Sequence, residues 1–270
     1  MSTTSGRFLI NGQRSDMIAA DDRGLLYGDG LFETVAFVQG SAPLWSLHRQ
    51  RLLHSMERMA LPAANTQQLL QECRELAGCE ARSVIRITVT RGCGGTAYFP
   101  PEAPSVNRIL MRRSMPNAIA SIDMIEPSLR LEPNSVLAGI KHLNRIEQVL
   151  IAQQCLQQGV REALVCDRDG WIVEGLSSNL VLEQGDALIA PGPHPAAVHG
   201  VGLRWLQQAL GDRLQLRPMH RSELAASDSI WVINSVAGIR PVASLDGEPR
   251  PIGRALRQPQ RAWHQLFECD

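Results

Sequence analysis

Ala138-Gly139-Ile140-Lys141-His142-Leu143-Asn144-Arg145 holds the only lysine of a 270-residue chain whose other 26 basic side chains are all arginine. Nearly every role open to either residue has gone to arginine, so Lys141 is the position to explain. A guanidinium keeps its proton near neutral pH, whereas an ε-amine can be desolvated into a neutral nucleophile or base. A composition rich in arginine can also leave one lysine by chance, and the rest of the chain has to decide between the two. Downstream, Leu143, Ile146, Leu150 and Gln153/Leu156 recur at helical spacing, which predicts a helix over His142–Gln158 with the lysine at its start.

The length allows one large domain or two of moderate size, and 44% apolar residues suffice for proper cores. Acidic and basic residues balance at 27 each, so the totals carry no footprint for nucleic acid or an anionic membrane. Any anion must be met locally. No apolar run approaches the roughly 18 residues of a spanning helix, and Met1 to Gly12 lacks a charged segment followed by an apolar one, so a cytoplasmic protein is expected. Six cysteines (Cys73, Cys79, Cys93, Cys155, Cys166, Cys269) form no C-x-x-C pair and no Cys/His cluster, which argues against a metal site and a disulfide framework.

In the first half, strands are expected at Phe8–Ile10 before the Asn11-Gly12 turn, and at Leu31 to Val38 after Tyr27-Gly28-Asp29-Gly30. Helices are expected over His48–Met59 and Asn65–Ala77, then strands over Ser83–Thr90 and Val106–Arg112 around the glycine-rich loop Arg91 to Pro101. The pattern restarts after Met115-Pro116-Asn117. This divides the chain into an N-terminal α+β domain (1–114), a linker (115–121) and a C-terminal domain (122–270) carrying Lys141. There, strands Ala163–Cys166, Trp171–Glu174, Asn179–Glu183 and Ala187–Ala190 alternate with polar turns, and Ser229–Ile233 follows later. The class is α+β.

A lysine that forms a Schiff base with pyridoxal phosphate needs companions: an acid for the pyridine nitrogen, a phosphate seat and groups that hold the ring. Glu174 ends a strand and precedes the small polar loop Gly175-Leu176-Ser177-Ser178-Asn179, which can approach a flat ring, although a strand-end Glu can equally be solvated. His199-Gly200-Val201-Gly202-Leu203-Arg204 opens a helix whose first amides suit a dianion, though a tight loop entry reads the same way. Arg51 is a candidate bidentate clamp on that phosphate, and Asn234-Ser235 offers an amide and a hydroxyl, or a simple turn.

The order and spacing of these residues resemble the fold-type IV pyridoxal-phosphate enzymes, the group of branched-chain and D-amino acid aminotransferases and 4-amino-4-deoxychorismate lyases. The match runs from Asp22-Arg23-Gly24 and Gly28-Asp29-Gly30-Leu31-Phe32-Glu33-Thr34 through His48-Arg49-Gln50-Arg51-Leu52, Lys141 and Glu174 to Asn179. It continues through Gly200-Val201 and Asn234-Ser235 to Pro241-Val242. The resemblance implies a two-domain fold of the D-amino acid aminotransferase type with its active site between domains, and a homodimer. It makes Lys141 the Schiff-base lysine, Glu174 the partner of the pyridine nitrogen, Arg51 the phosphate arginine and Val201 and Gly202 the amide donors, with Ser177, Asn179, Asn234 and Ser235 lining the site.

Within the group, Ile140 to Gln148 and Arg91-Gly92-Cys93-Gly94-Gly95 are similar to the lyases rather than the aminotransferases. The small-molecule substrate implied is 4-amino-4-deoxychorismate, split into 4-aminobenzoate and pyruvate for folate synthesis. An aminotransferase acting on D-amino or branched-chain amino acids would use the same Lys141, Glu174 and Arg51 and is the alternative. A non-catalytic carrier is the third reading, and the intact Lys141 and Glu174 speak against it. Lyases of this kind often read Gly-Gly-Arg-Gly-Tyr in the loop where this chain has Gly94-Gly95-Thr96-Ala97-Tyr98, which leaves the substrate carboxylates to another group, with Arg91 and Arg145 as candidates. Thr34 can relay a proton to the departing group, or serve its strand alone.

Overall fold

The computed structural model describes residues 4–133 and 136–268. The chain forms two units, Met1–Pro116 with Lys141–Asn144 and Phe267–Asp270, and Asn117–Ile140 with Arg145–Leu266. In the first unit the elements are β1 (Phe8–Ile10), α1 (Arg23–Tyr27), β2 (Gly30–Val38), α2 (Trp45–Arg58), α3 (Thr66–Ala77), β3 (Arg82–Thr90) and β4 (Asn107–Ser114). The strands pair antiparallel in the order β1-β4-β3-β2, which leaves β2 on an edge.

Side chains alternate across a strand. Glu33, Val35 and Phe37 of β2 therefore face α2, whereas Phe32 and Thr34 face away. Val35, Phe37, Leu52, Met56, Ile85, Ile87 and Leu110 are all buried, the core expected when the apolar stripes of α2 and α3 cover one face of the sheet. Asn65 caps α3 by accepting from the Gln67 and Gln68 amides, each at 3.1 Å, a contact worth about 1 kcal/mol.

The second unit contains β5 (Ile122–Ile125), α4 (Ile146–Gln157), β6 (Glu162–Cys166), β7 (Ile172–Gly175), β8 (Asn179–Gln184), β9 (Ala187–Pro191) and α5 (Val201–Leu210). It ends with β10 (Leu214–Arg217), β11 (Ser229–Asn234), β12 (Gly238–Leu245), β13 (Glu248–Pro249) and α6 (Arg257–Gln265). Its sheet runs β10-β9-β8-β11-β12-β5-β6-β7, with β13 paired to β12. One core cluster includes Leu180, Leu182, Ile230, Val232 and Val242; a second joins Ile151 and Cys155 of α4 to Ala163, Val165 and Val173.

The helix expected from His142 starts only at Ile146. His142 is instead bridged to Leu31 of β2, and the Leu143 amide donates to the Gly30 carbonyl at 3.0 Å. The face also differs from expectation. Ile151 and Cys155, one turn apart, are buried, while Ile146, Leu150 and Leu156 of the expected stripe are exposed. The apolar spacing is a true helix signal, but of its four apolar residues Leu143 precedes the helix and the other three lie off its core side.

Among the described residues no helix is long and apolar enough to cross a membrane, and no cluster of His, Cys, Asp and Glu could hold a metal ion. Cys73, Cys155 and Cys166 are buried free thiols and Cys79 and Cys93 exposed ones, while Cys269 lies outside the described residues. Burial pushes the Cys166 thiol up to about 11, which makes it core filler rather than a nucleophile.

A buried ion cluster fixes the glycine-rich loop of the first unit. Asp29 Oδ2 accepts from Arg23 Nε at 3.0 Å and from Arg91 Nε at 2.8 Å. The remaining Arg23 nitrogens donate to the carbonyls of Ala97 at 3.0 Å and Tyr98 at 3.1 Å, and those of Arg91 to Ala60 and Met59, both at 2.8 Å. Asp29→Asn removes the common counter-charge of two partly desolvated arginines and should cost about 1.5–3 kcal/mol, the scale of a lost charged hydrogen bond. Thermal unfolding should show that loss, and limited proteolysis should find faster cleavage between residues 94 and 99 than in the wild type.

Candidate active site

Lys141 is held by backbone pairing to the open edge of β2. The Phe32 amide donates to the Lys141 carbonyl at 2.9 Å, and the Leu143 bond to Gly30 lies on its other side. The lysine Nζ stands 4.4 Å from the centroid of the Phe32 ring, and the Arg86 guanidinium carbon 4.0 Å from the same centroid. Thr34 is the register partner of Arg86 and shares that face of β2. The first unit thus gathers an amine and a guanidinium on one aromatic ring, with Thr34 on the same face of the strand. Arg86 makes no hydrogen bond or ion pair among the described residues, and burial, then the charge of Arg113, lower its pKa. A partly buried cation without a counter-ion is ready to receive an anion.

The opposite face of β2 carries Glu33, which α2 covers with His48 and Arg51. Arg51 Nε and Nη2 fork onto the two carboxylate oxygens at 2.7 and 2.5 Å, and His48 Nδ1 lies 2.7 Å from Oε2. Burial favours the neutral acid, but the Arg51 charge, with His48 second, outweighs it and brings Glu33 down to about 2. His48 and Arg51 reach the same carboxylate because they are three residues apart on one helix.

In the second unit the other expected residues converge. Glu174 is buried at the end of β7, and its Oε2 accepts from the Val198 amide at 3.0 Å. Val198 is bridged in turn to Gly139, two residues before Lys141, so the carboxylate and the stub leading to the lysine share one backbone segment. Asn179 donates to the Val198 carbonyl at 3.4 Å and lies against Gly200, where any Cβ would overlap its Oδ1. Gly200 caps α5, so Val201 and Gly202 are its first two residues, and their amides have no acceptor within the helix.

Asn234 Nδ2 donates to the Ser177 carbonyl at 3.3 Å, while its Oδ1 accepts from the Val236 and Ala237 amides at 3.0 and 2.7 Å. Its side chain organises the turn that carries Ser235. Ser177 is further held by Glu162, which accepts from its amide and its hydroxyl, both at 3.2 Å, and from the Ser178 hydroxyl at 3.0 Å. Glu162 is fully buried at the start of β6, and no motif in the sequence set it apart.

The arginines expected to meet a substrate carboxylate stand differently. Arg91 has all three guanidine nitrogens engaged with Asp29, Met59 and Ala60, so its role is structural. Arg145 Nη2 donates to the Ile140 carbonyl at 2.9 Å. Arg86 carried no mark in the sequence, and Glu33 and His48 stood there only as members of the matching motifs, with no role of their own. The signal that could have marked Arg86 is a lone charge between apolar residues in Val84-Ile85-Arg86-Ile87.

The residues present suit pyridoxal phosphate: one lysine, a buried carboxylate, an arginine at a carboxylate fork and a helix start whose cap and second residue are glycine. Residues 30–245 match the family model for amino-transferase class IV. The chain is 27% identical to an aminodeoxychorismate lyase of Vibrio harveyi over 94% of its own length and 98% of the relative's. Among solved structures, 4-amino-4-deoxychorismate lyase from Pseudomonas aeruginosa superposes with a TM-score of 0.89 at 34% identity, covering 96% of this chain and 98% of that one. A hypothetical aminotransferase from Mycobacterium tuberculosis, solved in a PLP-bound form, shares the fold at a TM-score of 0.77 and 21% identity, covering 94% of this chain and 92% of its own. A chain whose only lysine is pinned beside β2 and whose length matches these proteins almost end to end belongs to the class IV aminotransferase family.

Proposed function

We propose that this chain is a pyridoxal-phosphate-dependent 4-amino-4-deoxychorismate lyase, releasing 4-aminobenzoate and pyruvate. The observation that carries the reading is the placement of Lys141 with Arg86 against one Phe32 ring. The two cations stand no further apart than the sum of their ring distances, a span that a ring with an amine at one end and a carboxylate at the other can bridge. The lyase relatives, similar over nearly the full chain, support the same choice.

Lys141 would carry the cofactor, Arg51 and the Val201 and Gly202 amides its phosphate, and Glu174 its pyridine nitrogen, with Ser177, Asn179 and Ser235 along the ring and Asn234 shaping their turn. Bound pyridoxal phosphate supplies an electron sink for the pair left when a proton leaves the carbon bearing the substrate amine. Lys141 Nζ removes that proton from C4 of the substrate. The Glu174 carboxylate, fixed by the Val198 amide, would pair with the pyridine nitrogen and favour its protonated form. Thr34 Oγ1 hands a proton to the ether oxygen as the C3–O bond breaks. The ring becomes aromatic and the enolpyruvyl fragment leaves as pyruvate, so no keto acid is consumed.

We also read the enzyme as a cytoplasmic homodimer with a role in folate synthesis. Tyr98, Phe99, Met17 and Leu25 of the first unit are more than half exposed, apolar surface of the kind a second copy would cover.

Incubation with 4-amino-4-deoxychorismate alone should yield pyruvate and 4-aminobenzoate in equal amounts. Rapid turnover of a simple amino acid that depends on added keto acid, with this substrate left intact, would promote the aminotransferase reading instead. Lys141→Arg should lose the yellow colour and all turnover, and borohydride should fix the cofactor of the wild type to the Lys141 peptide. Glu174→Gln should keep bound cofactor and slow kcat by about 10²-fold, since it removes charge that matters as the electron pair develops. Arg86→Gln should raise KM about tenfold or more, the scale of a lost charged hydrogen bond, with a smaller change in kcat. An unchanged KM would remove Arg86 from the site.

A further inference from the structure

Glu33, His48 and Arg51 are 2%, 1% and 7% exposed, and packing alone does not account for three polar side chains there. Glu33 is ionised, so it can only accept, and His48 Nδ1 must carry the proton it donates. In the neutral ring this leaves Nε2 as a bare acceptor. Nε2 is fully buried and has no hydrogen-bond partner among the described residues. One further proton would convert that stranded lone pair into a donor.

The charges acting on His48 are Glu33 from β2, Arg51 from its own helix and Lys141 from the segment beside β2. Burial lowers its pKa most, Glu33 raises it, and Arg51 and Lys141 lower it further, so the ring holds a second proton less readily than a free imidazole. The Arg51 charge is meanwhile cancelled by Glu33. A phosphate dianion that meets Arg51 therefore meets a pair of no net charge, and His48, in contact with that pair through Glu33, can still gain a proton.

We propose that seating the cofactor's phosphate on Arg51 is coupled to uptake of one proton from solvent by His48 Nε2, which makes the imidazolium a second cation in the anion seat. The inference rests on Arg51 being the phosphate arginine. His48 then acts as a binding residue whose charge follows occupancy, and Glu33 holds both cations on one carboxylate. Affinity for the phosphate should fall as pH rises through the pKa that His48 acquires in the occupied site, because the proton that accompanies the anion is then no longer available.

Pyridoxamine 5'-phosphate is the probe, since it has the phosphate but no aldehyde and forms no bond with Lys141; pyridoxamine is its phosphate-free control. At pH 7.5 the phosphate is already largely dianionic, its second pKa being about 6. Calorimetry of the cofactor-free protein in two buffers of different ionisation enthalpy should give an uptake of about one proton per pyridoxamine phosphate, beyond that seen with pyridoxamine. His48→Gln should abolish the difference and flatten the dependence of affinity on pH between 7 and 9. Equal proton uptake for the two ligands in the wild type overturns the coupling without reference to any variant, and uptake retained in His48→Gln overturns its assignment to His48. Arg51→Gln separates the two ideas. If it keeps the preference for pyridoxamine phosphate over pyridoxamine, Arg51 is not the phosphate arginine and the proposal falls with that reading; if the preference is lost yet the wild type takes up no proton, only the coupling fails.

Discussion

The placement of Lys141 depends on room at one point of the chain, Gly28-Asp29-Gly30. The segment 141–144 can hydrogen-bond to the edge of β2 only because Gly30 has no side chain: a Cβ there would overlap the Val89 carbonyl and sit 2.8 Å from Leu143 Cδ1. Gly28, at φ 66, leaves space for Asn144, whose Nδ2 donates to the Gly28 carbonyl at 3.2 Å. Between them Asp29 anchors Arg23 and Arg91. Arg145 ties back to the Ile140 carbonyl and closes the four-residue excursion that contains the lysine. With backbone bonds on both sides, Lys141 has only its side chain left to move, which is the pre-orientation that a base or covalent attachment point needs.

Arginine does the structural work that frees the lysine for chemistry. Each guanidinium can serve several acceptors in a fixed plane, and Arg23, Arg91 and Arg108 spend theirs on Asp29, on loop carbonyls and on Glu72. Such buried pairs add little net stability against a well-packed apolar alternative, but removing one partner is costly, so they fix geometry. Arg51 is held in the same way, its fork on Glu33 setting its orientation. Arg86 stands apart. It packs on Phe32 without a carboxylate, so the free energy of satisfying its charge remains available to a ligand.

Strand positions and turns were legible in the sequence because alternation and glycine punctuation act locally. The glycine-rich loops around Lys141, Glu174 and Gly200 were also legible, because a close approach leaves no other residue type. The start of α4 was not. The stretch from His142 is apolar at helical spacing, but it opens in a bridge to β2, closed by bonds at the Lys141 carbonyl and the Leu143 amide, and non-local pairing overrode local propensity. The exposed stripe on α4 shows the same limit, since spacing gives a period and not a side. Glu162 was invisible for a related reason: its partners Ser177 and Ser178 lie 15 and 16 residues away, and only the fold brings a buried carboxylate under that turn.

Lysis and transamination begin with the same proton removal, so neither Lys141 nor Glu174 can distinguish them; the difference must come from how the rest of the substrate is held. In this chain the loop at 94–99 gives its Ala97 and Tyr98 carbonyls to Arg23, and Ala97 takes a left-handed φ of 51 that costs a non-glycine residue about 1–2 kcal/mol. Thr96 and Phe99 close this segment as a tight turn through two backbone bonds. A loop committed in this way contributes shape rather than charge. The cation that shares the Phe32 ring with Lys141 is on β3, at Arg86, where the flanking strands fix its backbone and Phe32 its guanidinium. A charge on a sheet interior is held more rigidly than one on a loop tip, which favours a rigid ring acid over the flexible side chains of simple amino acids.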